Sequence, residues 1–205
     1  MAEELGRIEK PEAGQFKEKR KLYLVPLLFV WKDAPAEYID KFNLYWQQVR
    51  EHIANLESKM GNINRVYHES ITMAGEDGLK VLEKLNSSSC QIAKDKCQSG
   101  AQLEAVEDTG LAEETMDWER VLFMGFISQK VAKIVSEFFV EASKKRYEYI
   151  TERINETLKG NEVAILFIRE GHRVQFPSDI EVFSIGPPAL DEIRRWLRDH
   201  QPTDN

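Results

Sequence analysis

Six apolar residues in a row, "VAILFI" at residues 163–168, limit the fold more than any other part of the chain. The run is apolar on both alternating faces and too short for a helix, so it reads as a strand buried on both sides. Strands of that kind belong to parallel sheets whose two faces are covered by helices. Residues 21–31, "KLYLVPLLFVW", share the pattern, but Pro26 cannot donate to a ladder, and a bulge or strand end is expected there.

Elsewhere the apolar period lengthens to that of a helix. Tyr38, Phe42, Tyr45, Val49, Ile53, Leu56 and Met60, with Ile39 and Trp46 alongside, mark one face of a long helix ended by Gly61. Residues 63–70, "INRVYHES", suggest a second strand, followed by Gly75 and Gly78 as turn residues and a helix over about residues 78–98, closed by Gly100. Residues 100–108 are a weaker third strand, and Thr109 is the expected N-cap of the next helix.

Residues 111–158 contain no proline and one glycine, Gly125. An unbroken helix there would be ~70 Å long, whereas a domain of this size is only about 43 Å across. A break is therefore expected near Met124, Gly125 and Phe126, and a second helix then carries a wide stripe from Ile127 through Val131, Ile134, Phe138, Ala142 and Ile150 to Leu158. The strand at 163–168, a charged loop, a strand at 180–185 and a helix opened by Gly186, Pro187 and Pro188 complete the chain.

The predicted fold class is α/β: an open, mostly parallel sheet of about five strands, helices on both faces, and one long, broken helix region. About 11 residues join the last two strands, near the minimum for a parallel crossover, so an antiparallel edge is the alternative. Residues 21–200 form a single domain between a flexible N-terminal tail, 1–20, and a short tail, 201–205.

The chain has 205 residues, 42% apolar and 31% charged, with a formal net charge of -7. That charge argues against a nucleic-acid backbone or an anionic membrane as main partner, since both call for a basic surface. The longest apolar run, residues 22–31, falls far short of the ~20 residues a spanning helix needs. Cys90 and Cys97 lie in one expected helix, about 10 Å apart along its axis, too far for a disulfide between them. Reduced thiols suit a cytoplasmic protein. The basic runs 17–21, 144–146 and Arg194, Arg195, Arg198 are flanked by acids and read as solvated faces.

In open α/β sheets ligands bind beyond the carboxyl ends of the strands. The expected exits are Lys32 and Asp33; His68, Glu69 and Ser70; Glu107 and Asp108; Arg169, Glu170, His172 and Arg173; and Ser184. His172, Glu170 and His68 are the candidate catalytic residues. Gly171 lets the chain turn before His172, and Glu170 is placed to set that imidazole's tautomer or raise its pKa. Glu69, Glu107, Asp108, Arg169 and Arg173 are the candidate ligand contacts. The sequence designates no cofactor and no metal: it has no GxGxxG, GKS, GKT or GxSxG, and no recognised ligand spacing. The Gly186-Pro187-Pro188 helix start is a poor anion site, because two prolines delete first-turn donors and Asp191 and Glu192 already bring negative charge.

The segments "LYLVP", "GAQLEAVED" and "RYEYITERINETLKGNEVAILFIREGHRVQFPSDIEVFSIGPP" together resemble a family of uncharacterised prokaryotic α/β proteins. The last segment is also similar to domains of the wider peptide-release-factor class. The Gly-Gly-Gln triplet with which release factors trigger hydrolysis is absent, so that activity is not implied.

These readings point first to a cytoplasmic, non-catalytic α/β protein that binds a small ligand or protein partner at its strand-end face, as a homodimer through its long helices. A metal-assisted hydrolase built on His68, Glu69, Glu107, Asp108, Glu170 and His172 is the rival, and a translation-associated factor the third option.

Overall fold

The structure, a computed structural model, describes residues 19–200. The expected tails therefore lie outside the described residues, apart from Lys19 and from Arg20, which opens the first strand. Five strands, β1 (Arg20–Pro26), β2 (Arg65–His68), β3 (Gln102–Leu103), β4 (Val163–Ile168) and β5 (Ile180–Ser184), form one sheet in the order β3-β2-β4-β1-β5. Every pairing is parallel. β4 is the central strand and all six of its residues are buried.

Among the described residues, six helices accompany the sheet: α1 (Ala36–Met60), α2 (Gly75–Leu85), α3 (Ser87–Gln98), α4 (Thr109–Phe123), α5 (Gln129–Thr157) and α6 (Pro188–Asp199). The connections from β1 to β2 and on to β3 move one way across the sheet; those from β3 to β4 and on to β5 move the other way. Right-handed crossovers then place the two sets on opposite faces. Two separate cores follow from this. Tyr23, Val25, Val66, Ile165 and Phe167 pack with α1, α2, α3 and α6. Leu22, Tyr67, Ala164, Leu166 and Ile168 pack with Ile150, Ile154 and Leu158, and with Val174 from the β4–β5 connection.

β1 stops at Pro26, so the strand is shorter than the apolar run and residues 27–31 leave the sheet. Lys21 and Leu27 donate their N–H groups toward β4, and alternation points the nitrogen of residue 26 toward β5. The β5 pairing has already ended at Leu24 and Ser184. The missing donor thus falls where no acceptor waits. Lys32 and Asp33 lie well beyond this exit.

Four further expectations are corrected. The helix foreseen at 78–98 is two helices, because Asn86 is extended and its side chain accepts from the Ser89 N–H at 3.0 Å while donating to the Leu28 carbonyl at 2.8 Å. The third strand has only two residues. Asp108, not Thr109, caps α4, its carboxylate accepting from the Leu111 N–H at 2.9 Å. The last two strands are not an antiparallel edge: both run parallel to β1, which lies between them. The break near Gly125 is present, with that glycine at φ +70°.

Gly78 in α2 has a requirement of its own. A Cβ there would lie 2.2 Å from the Met73 carbonyl oxygen and 2.9 Å from Leu103 Cδ2. Gly78→Ala is expected to destabilise the fold by about 1–3 kcal/mol, whereas Gly160→Ala, which meets nothing within 4 Å, should be nearly neutral. Urea melts of the two variants check this contrast.

Candidate functional site

The ligand crevice of an open α/β sheet lies where neighbouring strands send their connections to opposite faces. β4 meets that condition on both sides, and on both sides the protein fills the space itself. Toward β2, the Glu69 carboxylate accepts the Arg169 backbone N–H at 2.7 Å and the Arg169 Nε at 2.5 Å. An internal carboxylate thus sits where a ligand anion would be held. Toward β1, the Tyr45 hydroxyl donates to the Pro26 carbonyl and the Leu27 N–H donates to the Ile168 carbonyl.

Arg146 of α5 extends this arrangement. It is 3% exposed, and its Nε donates to both oxygens of Glu107, at 3.1 and 2.8 Å. Its Nη2 also bonds Glu107 and lies 3.8 Å from Glu69. Arg169 reaches Glu119 of α4 at 3.2 Å. Burial opposes the charge on Arg146, but hydrogen bonding and attraction to Glu107 outweigh it, so the guanidinium is held more firmly charged than usual. The chain Glu107–Arg146–Glu69–Arg169–Glu119 joins both helices of the α4–α5 hairpin to the ends of β2 and β4.

Arg146 belongs to a basic run expected on a solvated face, and it is buried instead. The available signal was its position: Ala142, Arg146, Ile150 and Ile154 recur every fourth residue, and all four are buried. Lys144 and Lys145 point elsewhere and pair with Glu148 and Glu141.

His68 is 1% exposed. Its Nδ1 faces the Glu69 carbonyl, which can only accept, so the proton resides there and Nε2 accepts from the Ser89 hydroxyl at 3.0 Å. This Ser–His pair resembles a nucleophile and its base. Ser89 is fully buried at the start of α3, so no substrate reaches it. Burial lowers the His68 pKa to about 4, against weaker opposing contributions from Glu69.

His172 is half-buried. Its Nδ1 accepts from the Val174 N–H at 3.3 Å, and its ring stands edge-on to Phe176. The neighbouring Glu170 bonds Arg194 of α6, so it does not set the imidazole's tautomer. Burial lowers the His172 pKa instead of Glu170 raising it. Among the described residues, no group of three or more His, Cys, Asp or Glu side chains is placed to hold a metal ion.

Beside the filled exit, a cleft of about 700 Å³ runs between α5 and the β4–β5 connection. Phe139, Val140 and Tyr147 supply its apolar wall, and Ser143, Thr151 and Gln175 its polar one. Thr151 also ties the two walls by donating to the Gln175 carbonyl at 3.0 Å. Arg173 lines the cleft and has no carboxylate partner among the described residues.

The fold and this edge define an all-parallel α/β protein with an internally satisfied strand exit and an open lateral cleft. No protein family, curated protein or solved structure matches the chain. Among the described residues no helix is long and apolar enough to cross a membrane.

Arg146→Met leaves Glu107 without its counter-charge in a buried site and is expected to cost about 3–5 kcal/mol. Arg146→Met combined with Glu107→Leu should recover most of that loss in denaturant melts. His68 gives a second expectation. Its folded pKa of about 4 lies below the unfolded value of 6.5, so its contribution is complete above pH 6.5 and is lost as the pH falls toward 4. The total is on the order of 3 kcal/mol. His68→Gln should flatten that part of the stability–pH curve; an unchanged slope would place the acid sensitivity elsewhere.

Proposed function

We propose that the chain is a cytoplasmic, non-catalytic binding protein. It is homodimeric through its long helices and takes a small ligand or short protein segment in the cleft between α5 and the β4–β5 connection. One observation carries this reading. The strand exits, where such folds usually work on ligands, are filled by the protein's own groups, while the adjacent cleft remains open. Two free cysteines support a reducing compartment.

The wall residues suggest what the cleft accepts. Phe139, Val140 and Tyr147 suit an aromatic or branched apolar body, and the unpaired Arg173 suits a carboxylate or another anionic group. Glu148 and Glu152 on the same rim disfavour a polyanion.

Anilinonaphthalene sulfonate, an aromatic anion, is the first probe, with an indole carboxylate as competitor. Saturable binding is expected, weakened about tenfold by Arg173→Ala and abolished by Ser143→Trp, which fills the cleft, with melting temperatures unchanged. Binding untouched by both substitutions would move the site elsewhere. Turnover of a metabolite, lost in a folded His172→Ala variant, would replace binding by catalysis.

A further inference from the structure

The α4–α5 hairpin carries more apolar surface than two helices cover. Ile127, Val131, Ile134 and Phe138 recur at intervals of four, three and four residues, the spacing of a coiled-coil seam. Leu111, Thr115, Trp118 and Leu122 repeat the same intervals on α4, and the Trp118 ring stacks on Phe138 with centroids 5.0 Å apart. That contact closes the hairpin but leaves the seam open. Phe123, Met124 and Ile127 at its tip are 84%, 82% and 108% exposed, and Met116, Val131, Ile134 and Phe138 are each more than 40% exposed. None of these residues belongs to either core.

We propose that the occupant of this seam is a second copy of the chain: two hairpins pack about a two-fold axis along their helices and form a four-helix bundle, α4 of each on α5 of the other. This rests on the homodimer reading and specifies its geometry. The available area fits. At ~150–200 Å² per fully exposed large apolar side chain, the seven exposed residues offer on the order of 800 Å² per chain, about what each partner of a stable interface buries.

Charge selects the arrangement. α4 carries Glu113, Glu114, Asp117 and Glu119 against Arg120 alone, while residues 129–145 of α5 carry Lys130, Lys133, Lys144 and Lys145 against Glu137 and Glu141. Laying α4 on the partner's α5, at the level that Trp118 and Phe138 set, brings Glu113 and Glu114 to Lys144 and Lys145. Laying each helix on its own copy opposes like charges. The acidic α4 also argues against an anionic lipid surface as the alternative occupant.

Light scattering on the full chain up to roughly 100 µM tests the assembly, beside Ile127→Glu/Ile134→Glu and Lys144→Glu/Lys145→Glu variants. All four side chains are exposed in the single chain, so its fold should survive, as far-UV circular dichroism and melting check. A dimer mass for the parent, a monomer mass for the isoleucine variant and a dissociation constant raised at least about tenfold by the lysine variant are expected. A lysine variant as tight as the parent would overturn the α4-on-α5 arrangement. Dimers in both parent and isoleucine variant would overturn the bundle and leave the homodimer reading standing. A monomeric parent would end both, and its sedimentation with phosphatidylcholine vesicles would give the seam to lipid.

Discussion

A guanidinium buried between two carboxylates holds this molecule's second face in place. α5 is 29 residues long, about 43 Å at the helical rise, and only its last turns lie on the sheet. The first half projects with α4. Ile150, Ile154 and Leu158 anchor the far end through apolar contact. At the exit edge the anchor is Arg146, engaged with Glu107 and close to Glu69. Since Glu69 also receives Arg169, and Arg169 reaches Glu119, the angle at which the hairpin leaves the sheet is fixed by one continuous set of ion pairs. The lateral cleft depends on the same set, because its α5 wall, residues 139–152, extends nearly two turns to either side of Arg146.

That arrangement fills the crevice at which α/β folds often bind ligands. The crevice at the central strand's exit stiffens the edge, and the Glu69 carboxylate takes the place of a bound anion there. Open surface lies sideways and outward instead: the cleft under the β4–β5 connection and the apolar seam of the hairpin. His68 and Ser89 follow the same logic. Their hydrogen bond has the form of a catalytic pair, yet it secures the start of α3 against the end of β2 within the larger core.

Much of the architecture was legible because it rests on local periodicity. The run at 163–168 announced a strand buried on both faces, and it is the centre of the sheet. Gly125 in a long helical stretch announced the hairpin turn. Other features depended on contacts that spacing does not reveal. Asn86 divides α2 from α3 by capping α3 and binding the Leu28 carbonyl, a partner 58 residues away. Of the expected ligand contacts, Glu69, Glu107 and Arg169 pair with one another, Arg146 and Glu119, and Asp108 caps α4. Arg173 alone of that group faces an open cavity with no ion-pair partner among the described residues. Arg146 was the telling case: an arginine inside an apolar four-residue repeat needs a buried carboxylate, and the sequence did not say which.

The strand order also has a consequence for how the chain is made. β1 and β2 are early in the sequence, but each has its inner edge against β4, whose residues come after 162. Until that segment leaves the ribosome, the nascent chain exposes two unpaired strand edges with a gap one strand wide between them. The sheet therefore gains its centre late, by insertion of its most apolar strand, and only the edge strand β5 follows it. Such late, long-range closure is slow and invites intermolecular pairing. A synthesis-time holding factor that shields the gap would therefore raise the yield of native protein more than any stabilising change at the sheet's outer edges.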